Sequence, residues 1–221
     1  MAHLDLEEQE QLDQLKQFWK QYGNFITWAL IAVLAAYAGW TGWQYWQRKQ
    51  AAQATALYEE VERFAASGDT ARLDRALADI KDKYGRTAQA QQAALLVAAV
   101  HATAGQPDAA RAALQWVADE ASDEGYKALA RLRLAGLLLD SKSYDEALKQ
   151  LTGSFPAQFA ALVADRRGDI YLAQGKKAEA GAEYEKAWRG LEADNSYRRV
   201  VDVKLAALGL SPSATPVGDK K

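Results

Sequence analysis

Cysteine is absent from the 221 residues. Disulfides, thiol nucleophiles, Cys-ligated zinc and lipid attachment at a cysteine are thereby excluded, although a Cys-free chain suits an oxidising and a reducing compartment equally. Histidine is scarce: there are two, His3 and His101. No second histidine or carboxylate stands at metal-ligand spacing from His101, which falls at a packed position of a helix. A Gly-rich phosphate loop, a nucleophile elbow and an HExxH pair are also missing. With no assembled acid, base, metal or nucleophile set, the sequence argues against an enzyme and calls for no cofactor. Charge of one sign is lacking too. Residues 1–50 carry four Lys/Arg against five Asp/Glu, and residues 51–221 carry 23 against 24. Such a near-neutral domain has no counterion-release drive toward nucleic acid.

Between Lys20 and Arg48 there is no charge at all. The run QYGNFITWALIAVLAAYAGWTGWQYWQ spans 27 residues, and roughly 20 helical residues cross a bilayer's hydrocarbon core. Aromatic rings mark both ends, Phe18, Trp19 and Tyr22 on one side and Trp40, Trp43, Tyr45 and Trp46 on the other. Trp19, Trp40, Trp43 and Trp46 are read as interfacial anchors, since amphipathic rings settle at headgroup level. Arg48 and Lys49 close the segment and can snorkel. Two rival readings are a buried helix of a soluble core, which three tryptophans at spacing 3 beside a charge-free run disfavour, and a cleaved signal peptide, because Ala36-Tyr37-Ala38 resembles a cleavage site. The long acidic lead-in (Asp5, Glu7, Glu8, Glu10, Asp13) and the length of the apolar core speak against it. Lys16 and Lys20 balance Arg48 and Lys49, so the positive-inside count is a tie. Ala35 and Gly39 lie four apart, as do Ala38 and Gly42. Small-xxx-small spacing lets a second membrane helix approach closely, which makes these four the candidate contacts for a membrane partner. Ala and Gly are also simply common in membrane helices.

From Ala51 onward the periodicity is helical, broken by Gly, Pro, Asp and Ser, with no convincing strand. Helices are expected over 51–67 and 70–84, the second with Gly85 as its stop. Then three hairpins align. In the last, Gly168 is followed by Tyr171, Gly175, Ala180, Tyr184 and Ala187. These offsets follow the tetratricopeptide order of small, large, turn glycine, small, aromatic, small. Ala98, His101, Gly105, Ala110, Leu114 and Val117 repeat them, as do Ala135, Leu138, Lys142, Ala147, Leu151 and Ser154. The spacings of 37 and 33 residues lie near the 34 of that repeat. Pro107-Asp108 opens one helix, and Ser143 is expected to cap another. A last helix over 196–208, carrying Val200, Val203 and Leu208, covers the end of the stack.

The expected architecture is all-α. It comprises an acidic tail (1–21), a transmembrane helix (22–47), a TPR-like α-solenoid of helical hairpins (48–210) and a disordered tail (211–221). Solenoids present concave faces to polypeptides. The groove candidates here are Asp165, Arg166, Asp169 and Leu172. Asp165 and Asp169 share a helix face and flank Arg166 and Arg167. They suit either a polar patch that reads a peptide or, as favoured, ion pairs with neighbouring helices.

Four segments carry a family resemblance: LDQLKQFWKQYGN before the span, GWQYWQ after it, YKALARLRLAGLLL, and VADRRGDIYLAQGKKAEA. With them the chain resembles the YfgM-type ancillary subunits of the bacterial SecYEG translocon over most of its length. It departs where a tetratricopeptide repeat usually ends in proline and Glu192 stands, and its middle repeat is degenerate. The resemblance implies an inner-membrane protein with a cytoplasmic N-terminus and a periplasmic C-terminal domain. It further implies association with SecYEG and with the membrane-anchored periplasmic chaperone PpiD, and a role in passing translocated client polypeptides to periplasmic chaperones. An alternative is a single-pass regulator that holds a cytosolic partner through its tail, where Leu4, Leu6, Leu12 and Leu15 suggest an amphipathic helix.

Overall fold

The computed structural model describes residues 6–211, with side chains from residue 12 onward. Leu4, the side chain of Leu6 and all but the first residue of the C-terminal tail lie outside the described residues. Nine α-helices are described: α1 (Leu6–Ser67), α2 (Thr70–Tyr84), α3 (Ala88–Thr103), α4 (Pro107–Glu120), α5 (Glu124–Asp140), α6 (Tyr144–Gln150), α7 (Ala160–Ala173), α8 (Lys177–Gly190) and α9 (Arg198–Ala207). A 3-10 turn, Ala157–Phe159, precedes α7. No strand occurs among the described residues, as the all-α expectation requires. The chain divides into two units between Gln50 and Ala51.

In the first unit, α1 is apolar and uncovered. Its most apolar 18-residue window has a mean hydropathy of 1.5 and is 0% buried. A helix that apolar with no protein against it needs lipid or a partner to cover it. Trp19 lies along its own helix, where a Cβ on Gly23 would sit 3.1 Å from its ring. Trp43 and Trp46 meet in a tilted pair, 5.3 Å between centroids. A Cβ at Gly39 or Gly42 would meet nothing within 4 Å. Leu12 and Leu15 are both exposed.

In the second unit, the end of α1 packs through Val61, Leu57 and Phe64 into one core that runs to α7. Helix α3 (AQAQQAALLVAAVHAT) is apolar on several faces and is the most enclosed element, burying Ala90, Ala93, Ala94, Leu95, Val97 and Ala98. Its small side chains let α2 and α4 approach from either side. Asp69, Thr87 and Asp123 cap α2, α3 and α5 by accepting from backbone N–H groups of the first turn. Ser143 stands at the start of α6 but its hydroxyl accepts nothing from the helix. That expectation is corrected: the hydroxyl lies 3.5 Å from that of Ser141. Gly85 does end α2, with φ −54° rather than a left-handed value. A side chain there would meet the Lys81 carbonyl at 2.6 Å.

The hairpin turns carry the repeat into three dimensions. Gly105, Lys142 and Gly175, which align in the sequence, take left-handed φ values of 71°, 59° and 77°. The next amide in each turn reaches back to the same carbonyl: Gln106 to His101 (2.8 Å), Ser143 to Leu138 (2.8 Å), Lys176 to Tyr171 (2.9 Å). The end of α9 repeats this closure, with Gly209 at φ 73° and Leu210 donating to Leu205 at 3.0 Å. Gly209 follows Gly175 by one repeat length, so α9 takes the place of the first helix of a fourth repeat. It covers the stack as expected, but through Val201 and Leu205, which are fully buried, while Val200 and Val203 are exposed. His101 is buried, with Nε2 2.7 Å from Asp74 and Nδ1 2.6 Å from the Gln106 side-chain oxygen.

Candidate functional site

The first helices of successive hairpins, α3, α5 and α7, line a cleft of about 290 Å³. Ala98, Ala99 and Ala102 of α3 and Gly136 of α5 form a floor nearly free of side chains. Arg133, Leu137 and Asp140 of α5 and Arg166 of α7 supply the rest, with Leu114 beneath. Each arginine leans back over the first helix of the preceding hairpin. Arg133 Nη1 lies 3.4 Å from the Leu95 carbonyl oxygen, and the Arg166 guanidinium lies 3.7 Å from where a Cβ of Gly136 would be.

Two neighbouring arginines do different work. Helix α6 has seven residues and ends with open carbonyls. Arg131 donates to the carbonyls of Gln150 (2.9 Å), Ser154 (3.3 Å) and Thr152 while stacking on Phe155 at 4.1 Å. Arg167 donates to the carbonyl of Leu151. Cations at a helix C-terminus favour both its dipole and its unpaired oxygens. These two therefore hold the middle hairpin closed, while Arg133 and Arg166 face the cleft.

Asp165 and Asp169 meet side chains from α8, α9 and the residue before α9. Asp165 is 3% exposed, and its two oxygens lie 2.8 Å from Lys204 Nζ of α9. Tyr197 donates to Asp165 at 2.7 Å. Lys204 also reaches Asp169 at 2.7 Å, and Tyr184 donates to Asp169 at 2.8 Å. Arg166 Nη1 approaches the other Asp169 oxygen at 3.6 Å. The network joins α7, α8 and α9. Leu172, on α7, is 38% exposed. Sequence reasoning missed Arg133, Gly136, Asp140 and Lys204. The signal for Arg133 was present, since it precedes Arg166 by the spacing of the last two hairpins.

Burial pushes the hydroxyls of Tyr184 and Tyr197 well above the usual phenol range, and the hydrogen bonds to Asp169 and Asp165 add to this. The folded chain thus holds these protons more tightly than the unfolded chain. The stabilisation is complete below the unfolded value of about 10 and is lost as pH rises from there toward the folded value. Urea unfolding of the detergent-solubilised chain between pH 9 and 11 should show stability falling with a limiting slope of about 1.4 kcal/mol per pH unit for each such tyrosine. Tyr184→Phe should lose that share of the slope. An unchanged alkaline slope in Tyr184→Phe would show that the hydroxyl ionises as readily folded as unfolded.

Comparison with known proteins places this geometry. A family model described as a tetratricopeptide repeat-like domain matches residues 16–210. A protein of Neisseria gonorrhoeae named "Ancillary SecYEG translocon subunit" is 34% identical over 208 residues, covering 94% of this chain and 99% of the relative. An Escherichia coli protein of the same name is 35% identical over 108 residues, covering 49% of this chain and 50% of the relative. No solved structure matches the chain significantly.

Proposed function

We propose, on the premise that this chain belongs to the tetratricopeptide repeat-like family of ancillary SecYEG translocon subunits, that it is a membrane-anchored scaffold which binds SecYEG and passes translocated proteins to periplasmic chaperones. The observation that carries this reading is the extent of the similarity. One relative matches across both the span and the repeats, so the anchor and the helical stack travel together as one unit. In this reading the N-terminus is cytoplasmic and the helical domain periplasmic. The span packs against a translocon helix through Ala35, Ala38, Gly39 and Gly42, where a Cβ at either glycine would meet nothing within 4 Å. The cleft of α3, α5 and α7 holds a polypeptide, either a PpiD-type membrane-anchored chaperone or an emerging client. The chain contributes position and no chemistry of its own.

Photocrosslinking in living cells tests this, with probes at Gly39 in the span and Ala102 on the cleft floor. The expected adducts are a SecYEG subunit from Gly39 and a chaperone or an exported protein from Ala102. The absence of SecYEG adducts from Gly39 together with the absence of any periplasmic adduct from Ala102 would sink the proposal.

A further inference from the structure

We infer that the cleft takes an extended acidic segment of its partner polypeptide, with Arg133 and Arg166 each receiving one carboxylate. This rests on the scaffold reading and names the chemistry of what the groove holds.

The first ground is register. Arg133 stands two residues before Ala135 and Arg166 two before Gly168, the equivalent small positions of consecutive hairpins. A solenoid repeats its geometry, so the same offset presents both guanidiniums from successive helices in the same sense. Both follow one rule, each lying back on the first helix of the preceding hairpin.

Charge is the second ground. Among the described residues Arg133 has no carboxylate partner, and its contact is a carbonyl at 3.4 Å. Arg166 has only Asp169 at 3.6 Å, a carboxylate whose other oxygen already receives Lys204 and Tyr184. The one acidic side chain of the cleft, Asp140, pairs with neither arginine. The lining therefore holds two cations and one anion, and the cations lean over the floor. Guanidinium donors fit carboxylates in a bidentate fork, which a lysine pair would not do as selectively.

The floor is the third ground. Ala98, Ala99, Ala102 and Gly136 leave the occupant's main chain room to approach. Packed helices stand about 8–10 Å apart, and an extended chain rises about 3.3 Å per residue. Carboxylates two or three residues apart on an extended segment thus reach both arginines.

The test uses the full chain in mild detergent and two fluorescein-labelled ten-residue peptides, one alternating glutamate with alanine and the other alternating glutamine with alanine. Fluorescence anisotropy should show the glutamate peptide binding at least tenfold tighter, with the preference shrinking as salt is raised. R133Q/R166Q should abolish the preference and R133Q alone should reduce it. R133Q removes only the carbonyl contact, so its helical circular dichroism should match the parent. Arg111→Gln, whose side chain pairs with Glu146 away from the cleft, should retain the full preference. Equal binding of the two peptides would overturn the inference and leave a groove without charge selection. A preference that survives R133Q/R166Q would overturn it as well. If neither peptide binds while Ala102 still crosslinks in cells, the acidic segment is wrong and the scaffold reading stands. If the Ala102 crosslinks and the Gly39 adducts to SecYEG fail too, both fall.

Discussion

Gly168→Val is expected to destabilise the chain by about 3 kcal/mol or more, with the last hairpin opening first. Gly168 sits on α7 where α8 crosses it, and a Cβ there would lie 2.5 Å from two ring carbons of Tyr184. The ring cannot step aside at low cost. Tyr184 is fully buried, and its hydroxyl is tied to Asp169 at 2.8 Å. Moving it means either losing that bond or separating the two helices. Valine adds two further methyl groups to the same space and gains less helix propensity than alanine. Gly168→Ala should fall between, since its gain of about 1 kcal/mol in propensity offsets part of the overlap. Gly136→Ala is the control. Its Cβ would meet the Arg166 guanidinium at an ordinary 3.7 Å, so the same change on α5 should be neutral or stabilising. Urea unfolding gives the magnitudes, and hydrogen exchange of the α8 amides shows where opening begins. A Gly168→Val midpoint equal to the parent's would mean that the α7–α8 contact is loose enough to accept a side chain.

That contact was legible beforehand, because Gly168 and Tyr184 stand at the small and aromatic offsets of a repeat and those offsets encode a crossing distance. The long apolar helix was legible for a similar reason: a charge-free run with rings at both ends admits few packings. What the residues concealed was orientation. Helix α9 carries Val200, Val201, Val203 and Leu205, which spread around the helix, and local pattern does not choose between faces. The choice is made at long range, by Lys204 reaching Asp165 and Asp169 on α7, and it buries Val201 and Leu205. Arg133 was concealed by its surroundings. In YKALARLRLAGLLL the two arginines look like interruptions of an apolar face, and only the offset of Arg133 from Arg166 reveals its place in the cleft. Lys142 shows the opposite case. It occupies a turn position where its neighbours have glycine and still takes φ 59°, because the turn's backbone hydrogen bonds outweigh the local cost of about 1–2 kcal/mol.

Asp165→Ala is expected to cost about 3 kcal/mol, at the lower end for breaking a buried ion pair. The carboxylate is almost wholly enclosed, and the Lys204 side chain is only 23% exposed. Its removal leaves the Tyr197 hydroxyl without its acceptor and Lys204 with Asp169 alone. Asp169 is what keeps the loss from being larger. Asp165→Asn retains an acceptor for Tyr197 and should cost about 1–2 kcal/mol less. Pairing Asp165→Ala with Lys204→Met should recover part of the loss, since the stranded ammonium is gone, and the double-mutant cycle should show a coupling of about 1–3 kcal/mol. A cost under about 1 kcal/mol for Asp165→Ala would mean that water already solvates the pair, and the network would then not fix α9. The same variants separate the two roles that the sequence leaves open to Asp165. If the carboxylate positions α9, Asp165→Asn lowers the unfolding midpoint and leaves Ala102 crosslinking unchanged while the chain is folded. If it contacts a partner, the crosslinks weaken and the midpoint holds. The geometry favours the first outcome: both oxygens of Asp165 are occupied from within the chain, so a partner's donor would have to displace Lys204 or Tyr197 to reach them.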